Sequence, residues 1–172
     1  DWGIEQLVRD SRITRIYEGT NGIQALDLVG RKLGLGGGRA VRNYFALVEG
    51  WLKDNAGEDH VAAVGAALKQ LQQATLWVAS EGMKDPEQAG AAATPYLRLF
   101  ALTSLAWMWA RMAAVAKAKL AAGSSETAFY GAKLKSADFY MARILTETDS
   151  LLAEVKAGKA TLMAFSDEEF AA

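Results

Sequence analysis

The 172-residue chain has no cysteine, a single histidine and two prolines. Without cysteine there can be no disulfide scaffold, thiolate zinc site, iron–sulfur cluster or cysteine nucleophile. His60 alone makes no two-histidine metal motif and gives no basis for a Ser-His-Asp arrangement, so no metal ligand set is expected. An excess of one charge is also missing. Nineteen Lys and Arg against 20 Asp and Glu leave a formal charge of -1, which offers no bulk attraction to nucleic acid or an anionic membrane surface. Long hydrophobic runs are scarce. The most apolar stretch, from Leu99 to Ala110 between Arg98 and Arg111, would rise about 18 Å as a helix against a hydrocarbon core of about 30 Å, so no membrane span is expected from it. The start at Asp1 shows no basic region, apolar signal core or initiator methionine, the pattern of a processed or truncated soluble chain.

Hydrophobic residues make up 51% of the sequence, enough for one domain with a real core. Few β-branched runs and abundant Ala, Leu, Glu, Lys and Gln predict an all-α fold. Val61, Val64, Leu68, Leu71, Thr75 and Val78 recur at spacings of three and four, the mark of an amphipathic helix between Gly57 and Gly82. A second stripe, Leu134, Ala137, Met141, Ile144, Leu151 and Val155, comes after the start signal Ser124, Ser125 and Glu126 and predicts a long helix to about Val155. Val41, Tyr44, Val48 and Trp51 predict a shorter helix from about Gly38 to Asn55. Thr94 before Pro95 reads as a helix opening, with the helix running to Ala122 and the turn before it covering Asp85 to Thr94. These elements compose an up-and-down four-helix bundle over residues 39–155. Trp51, Trp77, Trp107 and Trp109 read as packing residues within it.

Leu97, Leu105, Met108, Met112 and Val115 form one apolar row on the Thr94 helix, and Phe100, Leu102 and Trp109 extend apolar surface to other sides. That is wider than one core stripe, so a second cover is expected: either the 1–33 segment or another subunit. Gly34 to Gly38, four glycines in five positions, reads as a linker. Ahead of it lie a helical turn or two over Ile4 to Arg9, a short loop holding Ile16, Tyr17, Glu18 and Gly19, and a helix from about Thr20 to Leu33 marked by Ile23, Leu26, Gly30 and Leu33. The organisation is therefore 1–33, a linker at 34–38, and a helical bundle over 39–172.

Chemistry concentrates in the first of these units. His60 reads as a solvated first-turn residue, and the carboxylate pairs Glu58/Asp59 and Glu168/Glu169 as exposed helix-end charges. The run from Arg9 through Asp10, Arg12, Ile13, Ile16, Tyr17, Glu18, Gly19, Thr20, Asn21 and Gly22 to Gln24 resembles the C-terminal signature of flavin-dependent acyl-CoA dehydrogenases. The sharp resemblance covers residues 1 to about 33. Residues 39–172 are similar in character to the additional C-terminal helical region that one subfamily carries.

The resemblance implies that Glu18 is the base that takes the α-proton of an acyl-CoA thioester while the β-hydrogen leaves as hydride to the flavin. Tyr17 would line the acyl pocket, and the backbone of Glu18 and Gly19 would lie against the thioester. Thr20, Asn21 and Gly22 would touch FAD, Gly22 through its backbone alone because many relatives carry Gln there. It also implies an acyl-CoA substrate, an electron-transfer flavoprotein as acceptor and a homo-oligomer. On the residues themselves, a loop carboxylate between two helices can be aimed into a cleft, and exclusion of water around it would raise its pKa. Thr20 is a plausible N-cap for the helix after it. Relatives carry further domains ahead of this point, so the chain is read as a C-terminal fragment that is inactive and holds no FAD alone. The expected location is the bacterial cytoplasm, with the mitochondrial matrix second. A stand-alone helical interaction or oligomerisation module and part of an acyl-CoA oxidase remain alternative readings.

Overall fold

Short polar signals and glycines set the helix boundaries in a chain that has little else to stop a helix. The computed structural model describes residues 3–17 and 20–171, and every regular element among them is helical. α1 spans Ile4–Ile16, past the expected end at Arg9. Residues 9–16 contain no glycine or proline, and side chains pair along the helix: Gln6 donates to Asp10 at 2.7 Å and Arg9 to Gln6 at 2.9 Å. α2 spans Asn21–Asp27 and runs directly into a π turn over Leu28–Lys32. Its inward residues are Ala25, Leu28, Val29 and Leu33, while Ile23 and Leu26 are exposed. The inward face thus shares only Leu33 with the expected row: α2 seats on α5 through Ala25, which turns Ile23 and Leu26 outward ahead of the π turn, and the π turn shifts the register only after them. Asp27 anchors that turn through Arg31, at 2.6 and 2.9 Å, and Lys32, at 3.1 Å, and these cations hold its carboxyl at about 2.

The glycine-rich segment is a chain of turns. Leu35 N–H donates to Lys32 O, Gly37 to Gly34 O and Gly38 to Leu35 O, and the Arg42 guanidinium donates to Gly37 O at 2.7 Å. Gly36, Gly37 and Gly38 take φ of 58, 66 and 79° in succession, a left-handed run that is open to glycine at little cost.

The bundle comes next and is of the expected kind. α3 is Arg39–Asp54, α4 Val61–Lys84 and α5 Pro86–Ala121. α6, Thr127–Phe139, continues through a π turn at Tyr140–Ile144 and a 3₁₀ turn at Leu145–Glu147 into α7, Thr148–Ala157. A short α8, Asp167–Phe170, closes the chain. Cross-links fix the directions. Glu49 meets Gln72, and Leu52 lies against Gly65, so α3 and α4 are antiparallel. Lys117 near the end of α5 meets Asp59 before α4, so these two are also antiparallel. Arg98 pairs with Glu147, and Trp109 stacks on Tyr140, so α6 and α7 run back along α5.

α5 begins at Pro86, and Pro95 lies inside it. Asp85 is the better cap: its carboxylate accepts from Glu87 N–H at 3.0 Å and Pro86 fills the first helical position. The whole α4–α5 connection is thus a single residue, and a Cβ on Gly82 would meet that of Ala89 at 2.9 Å. With 36 residues, α5 is long and apolar enough to cross a membrane by length and composition, so the expectation drawn from length does not hold. In the fold its residues Tyr96, Leu99, Thr103, Ala106 and Ala110 are spent on the core against α4 and α7. The Tyr96 hydroxyl lies 2.8 Å from that of Thr75, and burial pushes the phenol up to about 12.

The expected second cover on α5 is present in part. α2 and its π turn pack on it, with Ala25 fully buried. The row Leu105, Met108, Met112 and Val115 is nevertheless 36–57% exposed. The apolar row predicted from spacing is the outer face of α5; the core is built from its neighbours on the wheel.

Candidate functional site

Tyr17 ends α1 because its backbone turns extended (φ -79°, ψ 100°) while its N–H still donates to Ile13 O at 2.7 Å. Its ring is 65% exposed. Glu18 and Gly19 lie outside the described residues. Thr20 takes up the chain in front of α2, and its carbonyl accepts from Gln24 N–H at 2.8 Å. Its position is that of an N-cap, but its hydroxyl does not cap the helix. The backbone there is right-handed helical (φ -102°, ψ -39°), whereas a capping side chain needs the extended conformation that turns its oxygen toward the first amides.

Thr20, Asn21 and Gly22 are all exposed, and a Cβ added to Gly22 would meet nothing within 4 Å. These exposed residues open α2, where a helix presents amides without intrahelical acceptors. These residues fit one edge of a large cofactor and supply no concave wall around the rest of it.

The two helices flanking Tyr17–Thr20 differ in support. α2 is seated on α5, so the start of α2 is held by the bundle. α1 packs extensively against no other element among the described residues, and Ile4, Leu7, Val8 and Ile16 are 59–66% exposed. An open depression along α1 is lined by Leu7, Val8, Ser11, Arg12 and Ile16. An expected helix end at Arg9 hides the full length of this apolar face; the absence of any breaker up to Ile16 is the signal that reveals it.

Elsewhere the side chains that carry chemistry are engaged structurally. His60 is not solvated as expected. It stands at the N-cap position of α4 with φ 71° and no side-chain cap, its side chain is 14% exposed, and Nε2 lies 3.2 Å from Asp138 Oδ1. Proximity to α6 explains the difference. Glu58 and Asp59 share the Lys117 ammonium at 3.4 and 3.1 Å. Glu169 closes a capping box with Ser166. Among the described residues no three His, Asp or Glu side chains gather to hold a metal ion.

Comparison with known proteins gives a consistent picture. The family described as Acetyl-CoA dehydrogenase C-terminal like matches residues 44–166. The chain is 37% identical over 151 residues to the 3-methylmercaptopropionyl-CoA dehydrogenase of Ruegeria pomeroyi, covering 84% of this chain and 25% of that protein. It is 29% identical over 157 residues to the broad-specificity linear acyl-CoA dehydrogenase FadE5 of Mycobacterium tuberculosis, covering 84% of this chain and 26% of that protein. The chain thus spans about a quarter of the length of these curated relatives.

Proposed function

Since the chain belongs to the Acetyl-CoA dehydrogenase C-terminal like family, we propose that it is the C-terminal part of an FAD-dependent acyl-CoA dehydrogenase in which Glu18 is the α-proton base. The observation that carries this reading is the run Tyr17-Glu18-Gly19-Thr20-Asn21-Gly22, set between α1 and the bundle-seated α2. Alignment with proteins named as acyl-CoA dehydrogenases over 84% of the chain supports it.

In this reading Glu18 removes the proton α to the thioester carbonyl, and the backbone amide of Glu18 stabilises the oxygen that gains negative charge. Gly19 lets the chain lie close to the thioester, and Tyr17 lines the acyl pocket. Thr20, Asn21 and Gly22 hold one edge of FAD against the exposed first turn of α2. FAD, when bound, accepts the β-hydrogen with its electron pair. Loss of that hydride and of the α-proton leaves the trans-2-enoyl-CoA. An electron-transfer flavoprotein then takes the electrons, the parent protein is a homo-oligomer, and both relatives being bacterial fits a bacterial cytoplasm.

The 172 residues alone supply too little of the cofactor surface to bind it. Titrating the purified chain with FAD should give no saturable micromolar binding, while the same chain extended N-terminally to the length of its relatives should retain FAD and bleach it on addition of acyl-CoA. Tight FAD binding by the 172-residue chain, or an extended chain that neither holds FAD nor responds to any acyl-CoA, would contradict the proposal.

A further inference from the structure

The motif is supported unequally on its two sides. α1, ahead of it, packs extensively against no other element among the described residues, whereas α2, after it, lies on α5. What seats α2 there is small. Within Asn21–Asp27 the one buried residue is Ala25, at 0% exposure, and Ile23 and Leu26 near it are 60 and 50% exposed. Leu28 and Val29, three and four positions on, share the face of Ala25 and are half-buried against the core. A methyl group at a buried helix contact permits a short distance between axes, and a larger side chain there must lift the helix.

The same stretch is also clamped. Asp27, the last residue of α2, accepts from Arg31 at 2.6 and 2.9 Å and pairs with Lys32 at 3.1 Å, and the Lys32 ammonium lies 3.5 Å from Gln24 Oε1. These bonds tie α2 and its π turn into one body.

We propose that Ala25 and Asp27 are positioning residues for the motif: the bundle sets the place of residues 18–22 through the seat of α2 on α5. The proposal rests on the reading of Glu18 as the base. Asn21 is about 6 Å along the axis from Ala25 at a helical rise of about 1.5 Å per residue, and Glu18 is three residues ahead of Asn21. The lever is short, so a shift of α2 on α5 is passed on to the motif. Proton transfer tolerates little of it, since a displacement on the order of 1 Å costs up to about a hundredfold in rate. The bundle thereby has a part in the reaction without contributing a side chain to it.

The test uses the FAD-loaded full-length protein. Ala25→Leu, which wedges the seat, should slow acyl-CoA-dependent flavin bleaching at saturating substrate about tenfold to a hundredfold, while FAD content and the half-saturating acyl-CoA concentration change by less than about twofold. Ala25→Ser keeps the small volume, and its hydroxyl can bond the carbonyl one turn back; it should bleach at nearly the parent rate. Asp27→Asn opens the clamp without adding volume and should slow bleaching by about threefold to tenfold with the same split. In the 172-residue chain all three variants should retain the cooperative thermal transition of the bundle. A parent rate in Ala25→Leu or Asp27→Asn, a slow Ala25→Ser, or a slowing that follows lost FAD or an unfolded bundle would overturn the proposal. The two readings fail separately: Glu18→Gln bleaching normally refutes the base assignment, whereas a slow Glu18→Gln beside a normal Ala25→Leu refutes the seat alone.

Discussion

Trp107 and Trp109 are two positions apart on α5 and have separate fates. Trp107 is 7% exposed, lies edge-on to Tyr44 with ring centres 6.4 Å apart, and carries Arg111 over its ring at 5.0 Å. Its indole N–H is buried without a hydrogen-bond partner. Trp109 points to α6, tilted against Tyr140 at 6.3 Å and covered by Lys133. Trp107→Glu would replace a buried ring by a carboxylate that only the exposed Arg111, one turn on, could partly offset, and should lower stability by several kcal/mol. Trp109→Glu should keep the fold, because its carboxylate lies beside Lys133 on the partly exposed side of α5. Circular dichroism melts of the two variants distinguish them; similar melting of both would contradict the assignment of faces. That the two tryptophans must diverge is legible from a separation of about 200° around the helix. Which one faces inward is not, since both sides of α5 are apolar.

Among the elements, α4 and the α6–α7 stripe are legible because their apolar residues keep a spacing of three and four, and Val64, Leu68, Leu71, Leu151 and Val155 are buried accordingly. The start of α5 is not. Thr94-Pro95 and Asp85-Pro86 are the same kind of signal, and the helix opens at Asp85-Pro86 because an aspartate cap and a tight hairpin both favour it. The π turns at Leu28–Lys32 and Tyr140–Ile144 leave no mark in composition; they are packing adjustments, the second held where the Tyr140 hydroxyl donates to Leu102 O at 3.0 Å. The hairpin itself yields a test. Gly82 sits where a methyl group would press on the Ala89 methyl, and neither helix can shift easily with only Asp85 between them. Gly82→Ala should therefore destabilise the chain by about 1–3 kcal/mol, against the gain of about 0.5–1 kcal/mol that alanine brings to an open helical site. Denaturant titration against Gly50→Ala, where nothing lies within 4 Å, isolates the steric part. Equal stabilisation of both would remove the close approach from the account.

The whole molecule joins a packed bundle to an N-terminal segment that carries the motif. α1 offers an apolar face with nothing extensive upon it among the described residues, α2 is seated on the bundle, and the chain spans about a quarter of the length of its curated relatives. The candidate site is legible as a motif, with Tyr17, Thr20, Asn21 and Gly22 exposed and close together in sequence. The fold, by contrast, is legible nearly throughout, because a helical bundle writes its contacts into local periodicity. The most direct test of the central claim is the rate of acyl-CoA-dependent flavin bleaching in the full-length protein with Glu18→Gln, a change that keeps shape and removes basicity. Flavin content and spectrum should be unaltered, while the bleaching rate should fall by about 10²–10⁴. Bleaching at a near-normal rate in a fully flavinated Glu18→Gln protein would contradict the assignment.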